Sequence, residues 1–413
     1  MLRRKSASAM AATVVGVAVA AMTLAVPGGG AGAATAPKAA RPFPHHVTYR
    51  TGVLPSVSQS ARDAAVRKHY DSWKAKYLRA ACGGYLVYAT GDAPNKGTVS
   101  EAQGYGMNIV PLMAGYDAGA KAEFDGLWRV VTSHLDRKGL MKWKLDGRSC
   151  RYADSGTPDS ATDGDLDVGY GLLLADRQWG GYRSAALNWL GKVYAHDVAP
   201  SGYLRIADDQ DSSARNGSRP SDWMLDHLRA FAAYDRGHDW HKVVTRTQNL
   251  ITQVTARYST RAGLLPDFIV DANTSSARPA PADYLEEQPD NIVGYNSVRV
   301  PWHLGTDALL YGSPVSLAAA KKESASYESH AGGNPAKIYP HTKLDGTPVQ
   351  KDDRCECANN PVGVAAMAAG DRAWTDALWR YLAGNPFDDT YYGETVKMLV
   401  YLVMAGDYWS PVQ

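Results

Sequence analysis

Apolar residues recur along this chain with a helical period, in two alternating styles. In the first, a stripe of positions three and four apart marks one side of a helix, as in Val66, Tyr70, Trp73 and Tyr77, or Phe124, Leu127, Trp128, Val131 and Leu135. In the second, the segment is apolar or small on nearly every side, over 104–116, 168–179, 223–234, 300–312, 361–370 and 396–409. A helix without a polar face has to be enclosed by other helices. Five of the six enclosed segments run into a short Gly/Asp turn, such as Asp117-Ala118-Gly119 or Asp235-Arg236-Gly237, and then into another one-sided helix. Six outer and inner pairs predict an all-α (α/α)6 barrel, one ring of helices wrapped by another, over residues 58–413. Strand signals are sparse.

This topology has a consequence for chemistry. When outer and inner helices alternate in direction, every loop that leads into an inner helix lies on the same rim. These loops are the longest in the chain, and long loops in compact domains usually carry function. They hold Glu101, Asp163, Asp222, Glu286 and Asn296, far apart in sequence but expected to converge. They also hold all four cysteines, Cys82, Cys150, Cys355 and Cys357, which read as disulfides with three pairings open. Cys355-Glu356-Cys357 lacks the spacing of a zinc site and has no histidine cluster beside it, so no metal is expected there.

Arg3, Arg4 and Lys5 precede an apolar stretch over 9–26 and a small-residue run at Ala31, Gly32 and Ala33, the pattern of a signal peptide over 1–36. The mature protein is expected to be secreted, with no membrane attachment. Residues 37–57, with their prolines and His45-His46, read as a flexible linker, the histidine pair being part of it rather than a metal site. Removing 1–36 takes three of the 44 basic residues and none of the 42 acids, which leaves one net negative charge and no sign of a nucleic-acid partner. The 24 Tyr and 11 Trp against 5 Phe supply flat rings with a polar edge, suited to stacking on carbohydrate.

Two acidic runs stand out. TVSEAQGYGM (98–107) places Glu101 in a first helical turn, where Ser100 and Gln103 can form a capping box. SATDGDLD (160–167) opens the next inner helix with Asp163, Asp165 and Asp167, three acids too close together to be buried unless something binds them. GDAPNKGT (91–98) is no phosphate loop, because its lysine precedes the second glycine and no strand leads in.

SEAQGYGM, SATDGDLDVGYGLLLADRQW and YNSVRVPW (295–302) together resemble glycoside hydrolase family 8, and the resemblance runs over about 77–409. It implies a secreted endo-acting enzyme on β-1,4-linked glucan, xylan or chitosan, inverting at the anomeric carbon, with Glu101 as general acid and Asp163 holding the sugar at the cleavage point. Inversion needs a second carboxylate roughly 6.5–9.5 Å from the first, across the sugar ring. Many members of the family place an aspartate base where this chain has Asn296, and an amide accepts no proton at working pH. A subgroup with asparagine there uses a glutamate in the preceding loop, which implies Glu286 in DYLEEQPDN as base, with Glu287 beside it as the alternative. The resemblance also assigns Trp143, Tyr391 and Tyr392 to sugar stacking and Arg299 to a hydroxyl or carboxylate. Tyr105 is expected to line the Glu101 subsite, and Asp222 either binds substrate or caps a helix. His303 replaces a usual arginine and is expected to alter groove contacts, whereas Trp73, Trp128 and Trp374 are assigned to the core. No cofactor or metal is implied.

Acids on the rim loops (Asp208, Asp209, Asp211, Glu286, Glu287, Asp290, Asp352, Asp353) favour cationic chitosan as substrate, with a cellulase or lichenase as the alternative. A more distant alternative is a non-catalytic glycan-binding protein, since Asn296 and His303 depart from the pattern. The protein is expected to act as a monomer. Glu101 presents a physical problem, because a helix N-terminus favours the ionised carboxylate while a general acid must be protonated. Burial and repulsion from Asp163 are expected to win.

Overall fold

A computed structural model describes residues 38–89, 96–209, 214–286, 289–386 and 390–413. The expected signal peptide, Asp211 and Glu287 lie outside the described residues. The helices alternate between two rings. The outer ones are α1 (Gln59–Tyr77), α3 (Ala120–Ser133), α5 (Arg183–His196), α7 (Trp240–Tyr258), α9 (Pro314–Ala331) and α11 (Arg372–Gly384). The inner ones are α2 (Ser100–Leu112), α4 (Thr162–Trp179), α6 (Leu225–Tyr234), α8 (Val300–Tyr311), α10 (Glu356–Ala369) and α12 (Tyr391–Ala405). Each inner helix packs on the next, and α12 returns to α2, so the inner ring closes; α1 packs on α12. This is the (α/α)6 barrel that the two styles of periodicity predict. All residues of α2 are buried except Glu101.

Turns from inner to outer helices are short, as at 180–182 and 312–313, whereas the loops into inner helices span 78–99, 134–161, 197–224, 259–299 and 332–355. Three small antiparallel pairs brace the long loops: β1 (Leu78–Ala81) with β2 (Gly84–Val87), β3 (Thr98–Val99) with β4 (Lys144–Leu145), and β5 (Ile269–Val270) with β6 (Arg278–Pro279). Disulfides join Cys82 to Cys150 and Cys355 to Cys357. The first ties the β1–β2 turn to the loop after β4, and the second sits at the head of α10.

The glycines of the two acidic motifs have a packing role. A Cβ on Gly104 would lie 2.4 Å from the Asp167 Cβ, and one on Gly164 would lie 2.4 Å from the Ser100 Oγ. Further along, a Cβ on Gly171 would lie 2.7 Å from the Met107 Cβ. Only glycine allows α2 and α4 to approach this closely, and the approach sets Glu101 and Asp163 side by side at their N-termini.

Two expectations are corrected. The capping box does not form: Val99 is the N-cap of α2 and makes no side-chain cap bond. The Ser100 N–H instead donates to the Trp143 carbonyl (2.8 Å), while the Gln103 amide accepts from the Val87 N–H (2.8 Å) and donates to the Tyr85 carbonyl (3.2 Å). The hairpin β1–β2 outcompetes a local bond. Nor is 38–57 a loose tether. Its backbone N–H groups donate from Ala40 to Gln178, Phe43 to Ala114, Val47 to Gly406, Arg50 to Leu309 and Val53 to Met367, all at 2.7–3.0 Å. These carbonyls lie at or just past the C-terminal ends of α4, α2, α12, α8 and α10. Helix ends leave carbonyls without intrahelical partners, and this strap supplies donors across the floor of the barrel.

Candidate active site

The N-termini of the inner helices converge on the loop-rich rim. Arg299, in the turn leading into α8 and 1 % exposed, is the hub. Its Nη1 donates to Glu101 Oε2 (2.6 Å), Asp163 Oδ2 (3.1 Å) and the Tyr105 hydroxyl (3.2 Å). Its Nη2 donates to Ser221 Oγ (2.9 Å) and its Nε to the Asn296 carbonyl (3.2 Å). One guanidinium thus fixes groups from four segments of the chain.

Glu101 also accepts from the Tyr391 hydroxyl at Oε1 (3.1 Å), and its side chain keeps 16 % of its surface open. Burial, with Asp163 adding, pushes its carboxyl up to about 7 against the opposing pull of Arg299 and Tyr391. Asp163 moves the other way. Burial acts against its charge, but Arg219 (3.0 Å) and Arg299 hold it below the usual carboxylate range. Two neighbouring carboxyls pushed apart in this manner suit a proton donor beside an anion, because Asp163 takes up guanidinium charge that would otherwise favour ionised Glu101.

Asn296 connects this centre to Glu286. Its side-chain amide donates to both Glu286 oxygens (3.2 and 3.1 Å), and the Glu286 N–H donates to Asp290 Oδ2 (3.2 Å). Glu286 remains exposed, yet burial by surrounding groups and the charge of Asp267 raise its carboxyl above the ordinary value, while the Asn296 amide opposes. A carboxylate that is more basic than usual and open to water suits a general base. Asn296 is therefore the orienting group for a carboxylate, and the path Glu101–Arg299–Asn296–Glu286 is continuous.

The remaining expected residues divide. Trp143 stays half-exposed, with its carbonyl bonded to Ser100 beside Glu101, its indole N–H donating to the Tyr152 hydroxyl (3.1 Å), and Lys144 Nζ 5.2 Å from its ring centre. Tyr391 and Tyr392 are half-exposed, and the Tyr392 hydroxyl donates to the Tyr295 carbonyl (2.7 Å). Tyr105 is fully buried under Arg299, so it supports the hub and does not line the subsite surface. Asp222 is likewise fully buried in a single helical turn (Pro220–Asp222) before α6, where it accepts from Arg219 Nε (2.8 Å), so it supports Arg219 and does not cap α6. His303 is turned into the core against Trp302, 4.2 Å between ring centres, and burial and then Arg299 drive it well below its ordinary value. It is a neutral core imidazole and leaves the groove unaltered.

The acidic run 160–167 splits three ways. Asp167 accepts from Asn108 (2.6 Å) and pairs with His227 (3.1 Å) beneath the site. Asp165 turns outward into a buried group with Asp197 and Asp208, where burial and mutual repulsion hold Asp165 and Asp197 well above the carboxylate range. Burial there favours the uncharged form of Asp165 and Asp197.

Three residues went unnoticed in the sequence. Arg219 completes the Asp163 environment and Ser221 anchors Arg299. Asp267 accepts from the Ser297 N–H (2.7 Å) and hydroxyl (2.6 Å) and from the Gly294 N–H (2.9 Å), which fixes the backbone on either side of Asn296. RPSD (219–222), a basic residue three before an acid in a rim loop, was a signal available for Arg219.

Comparisons with known proteins agree with this geometry. The description Glycosyl hydrolases family 8 matches residues 42–406. A β-glucanase of Niallia circulans is 37% identical over 384 residues, covering 90% of this chain and 91% of that one. An endoglucanase of Bacillus sp. (strain KSM-330) is 33% identical over 395 residues, covering 91% and 83%. The apo structure of a β-1,3-1,4-glucanase from Paenibacillus sp. X4 superposes with a TM-score of 0.84 at 38% identity, covering 91% of this chain and 100% of that one. The inner-ring acid, its arginine hub and these matches lead to one assignment: this chain is a glycosidase and belongs to glycoside hydrolase family 8.

Proposed function

We propose that the protein is a secreted, inverting endo-β-glucanase that acts on mixed-linkage β-1,3-1,4-glucan first and on β-1,4-glucan second. The observation that carries this reading is the opposed protonation of Glu101 and Asp163 around one guanidinium, in a chain 38% identical to a β-1,3-1,4-glucanase. Glu101 donates its proton to the leaving glycosidic oxygen as that bond breaks. Glu286, oriented by Asn296, takes a proton from a water whose oxygen bonds to the anomeric carbon from the opposite face. Asp163, slightly exposed beside Glu101, holds the sugar at the cleavage point while Arg299 keeps it ionised from behind, and positive charge developing on the ring meets the anionic Asp163. Trp143, Tyr391 and Tyr392 offer faces or edges to sugar rings. A depression of about 510 Å³ bordered by Tyr295, His341 and Asp352 continues the rim beyond Asn296, which suits a chain-spanning, endo-acting groove.

Three of the described rim acids that pointed to chitosan are engaged. Asp208 and Asp290 are buried, Lys138 lies 3.4 Å from the first, and the second accepts from two backbone N–H groups. Asp353 accepts from the Tyr295 hydroxyl and pairs with His341. These three described acids are tied to protein partners, and the named relatives are a β-glucanase, an endoglucanase and a β-1,3-1,4-glucanase, so glucan takes precedence over chitosan. Secretion rests on the N-terminal pattern and the two disulfides. No described helix is long and apolar enough to cross a membrane.

The test is release of reducing ends from barley β-glucan, carboxymethyl cellulose and chitosan, with the product anomer read by NMR. The reading predicts fastest release from barley β-glucan, a rapid fall in viscosity and an α-anomer first. Faster cleavage of chitosan would reverse the substrate order, and a β-anomer would remove the inverting mechanism.

A further inference from the structure

On the floor of the barrel, away from the catalytic rim, three donors from three distant segments meet. His46 comes from the strap, Asp63 from α1, and Asp407 from the turn just after α12. His46 Nε2 lies 3.1 and 3.2 Å from the two Asp63 oxygens and 3.8 Å from Asp407 Oδ1, and one donor from each residue lies within 4.8 Å of the other two. We propose that His46, Asp63 and Asp407 form a binding site for a divalent transition-metal ion of the zinc type, which clasps the strap to both ends of the barrel chain.

Geometry supports this first. Two ligands about 2.0–2.1 Å from one tetrahedral zinc ion sit roughly 3.3 Å from each other, and the observed separations from His46 bracket that value. The three donors, all within 4.8 Å of one another, therefore need to draw together only by side-chain adjustment of about 1 Å to share one ion.

Electrostatics supports it second. The Asp407 side chain is fully buried, and neither of its oxygens accepts a hydrogen bond of normal geometry, although the His45 N–H approaches. A second carboxylate, Asp63, lies beside it, and the charge of the pair is offset only in part by Arg62 and His46. Arg62 lies nearby but gives its donors to the carbonyls of Pro55, Val57 and Ala405 and to Gln59 Oε1. A buried carboxylate without hydrogen bonds is costly, and a cation with two positive charges removes that cost.

Donor chemistry selects the ion. One imidazole with two carboxylates suits zinc, cobalt or nickel; calcium and magnesium prefer oxygen donors alone. Gln59 Nε2 donates to Asp63 Oδ1 (2.7 Å) and to the Ala405 carbonyl (2.9 Å), which fixes the carboxylate from behind as outer partners do in metal sites. The His46 side chain is 45% exposed, leaving a path for the ion and a position for water.

The experiment uses untagged full-length mature protein, stripped with chelator and titrated calorimetrically with zinc chloride and, separately, with calcium chloride. Visible absorption on adding cobalt reports the coordination. The proposal expects one equivalent of zinc bound, no saturable calcium heat, a rise in Tm with zinc, and at least a tenfold weaker affinity in both His46→Gln and Asp407→Asn. His46→Gln should leave glucan hydrolysis unchanged, since it lies on the opposite rim. Should Asp407→Asn fail to fold, His46→Gln alone decides. No saturable zinc binding, or equal affinity in His46→Gln, would overturn the site and show His46 to be an ordinary ion-pair partner of Asp63.

Discussion

The two rims of this barrel are built from the same helices and solve opposite problems. On the floor, the inner helices end in carbonyls that the strap satisfies one after another, so the polar groups there are mostly consumed by structure. On the catalytic rim, helix N-termini face a set of side chains whose charges are deliberately unequal: Glu101 is held near neutrality, Asp163 is held ionised, and Arg299 is shared between them. The difference shows that stability and chemistry are segregated by end, with backbone bonds securing one and side-chain bonds the other.

That segregation can be broken from either side. The largest effect is expected from Glu101→Gln, which removes the proposed proton donor: kcat on β-glucan should fall by about 10²–10⁴-fold with an unchanged circular dichroism spectrum. Deleting residues 38–57 should do the reverse. With five backbone hydrogen bonds lost at about 1 kcal/mol each, unfolding free energy should drop by roughly 3–5 kcal/mol in denaturant melts, while kcat per folded molecule stays within about twofold. Asp267→Asn should cost about tenfold in kcat, roughly 1.4 kcal/mol, because Asn296 and hence Glu286 lose their fixed backbone; KM should barely change.

The pH profile sharpens the contrast without mutation. As the proposed general acid Glu101 acts when protonated, and its pKa is raised to about 7, so kcat/KM on β-glucan should decline as pH rises through that value. The smallest effect is expected from Asp197→Asn. Asp197 has a raised pKa, so the folded state holds its proton more tightly than the unfolded chain, and wild-type stability is lost as pH climbs above the ordinary carboxylate value. The amide cannot ionise. The variant should therefore match wild type near pH 4 and exceed it by about 1 kcal/mol at pH 7, read from thermal melts at the two values.

Much of the architecture was legible because burial on all sides leaves a mark on every residue of an inner helix. The convergence of Glu101, Asp163, Glu286, Asn296 and Arg299 followed from topology and from the family resemblance. What stayed hidden shares one cause: it depends on partners that sequence spacing does not record. The strap is held by main-chain N–H groups, which every residue but proline possesses, so its composition resembles that of a loose linker. Gln103 sat at the right spacing for a local cap and was claimed by a hairpin. Asp267 and Arg219 lie in irregular loops where no periodicity marks an inward-facing position. His303 was misread because its place after Trp302 was taken as a groove position when its helix face looks inward.

The contact between α2 and α4 bears on how such an enzyme can change. Because Gly104 and Gly164 bring two peptide backbones together, the spacing of Glu101 and Asp163 is set by the stiffest components available and not by side-chain packing. Rim loops can lengthen, shorten or exchange aromatic residues while this internal ruler stays constant. Preference for one polysaccharide over another can then drift through the loops, and Glu101 and Asp163 keep their places throughout.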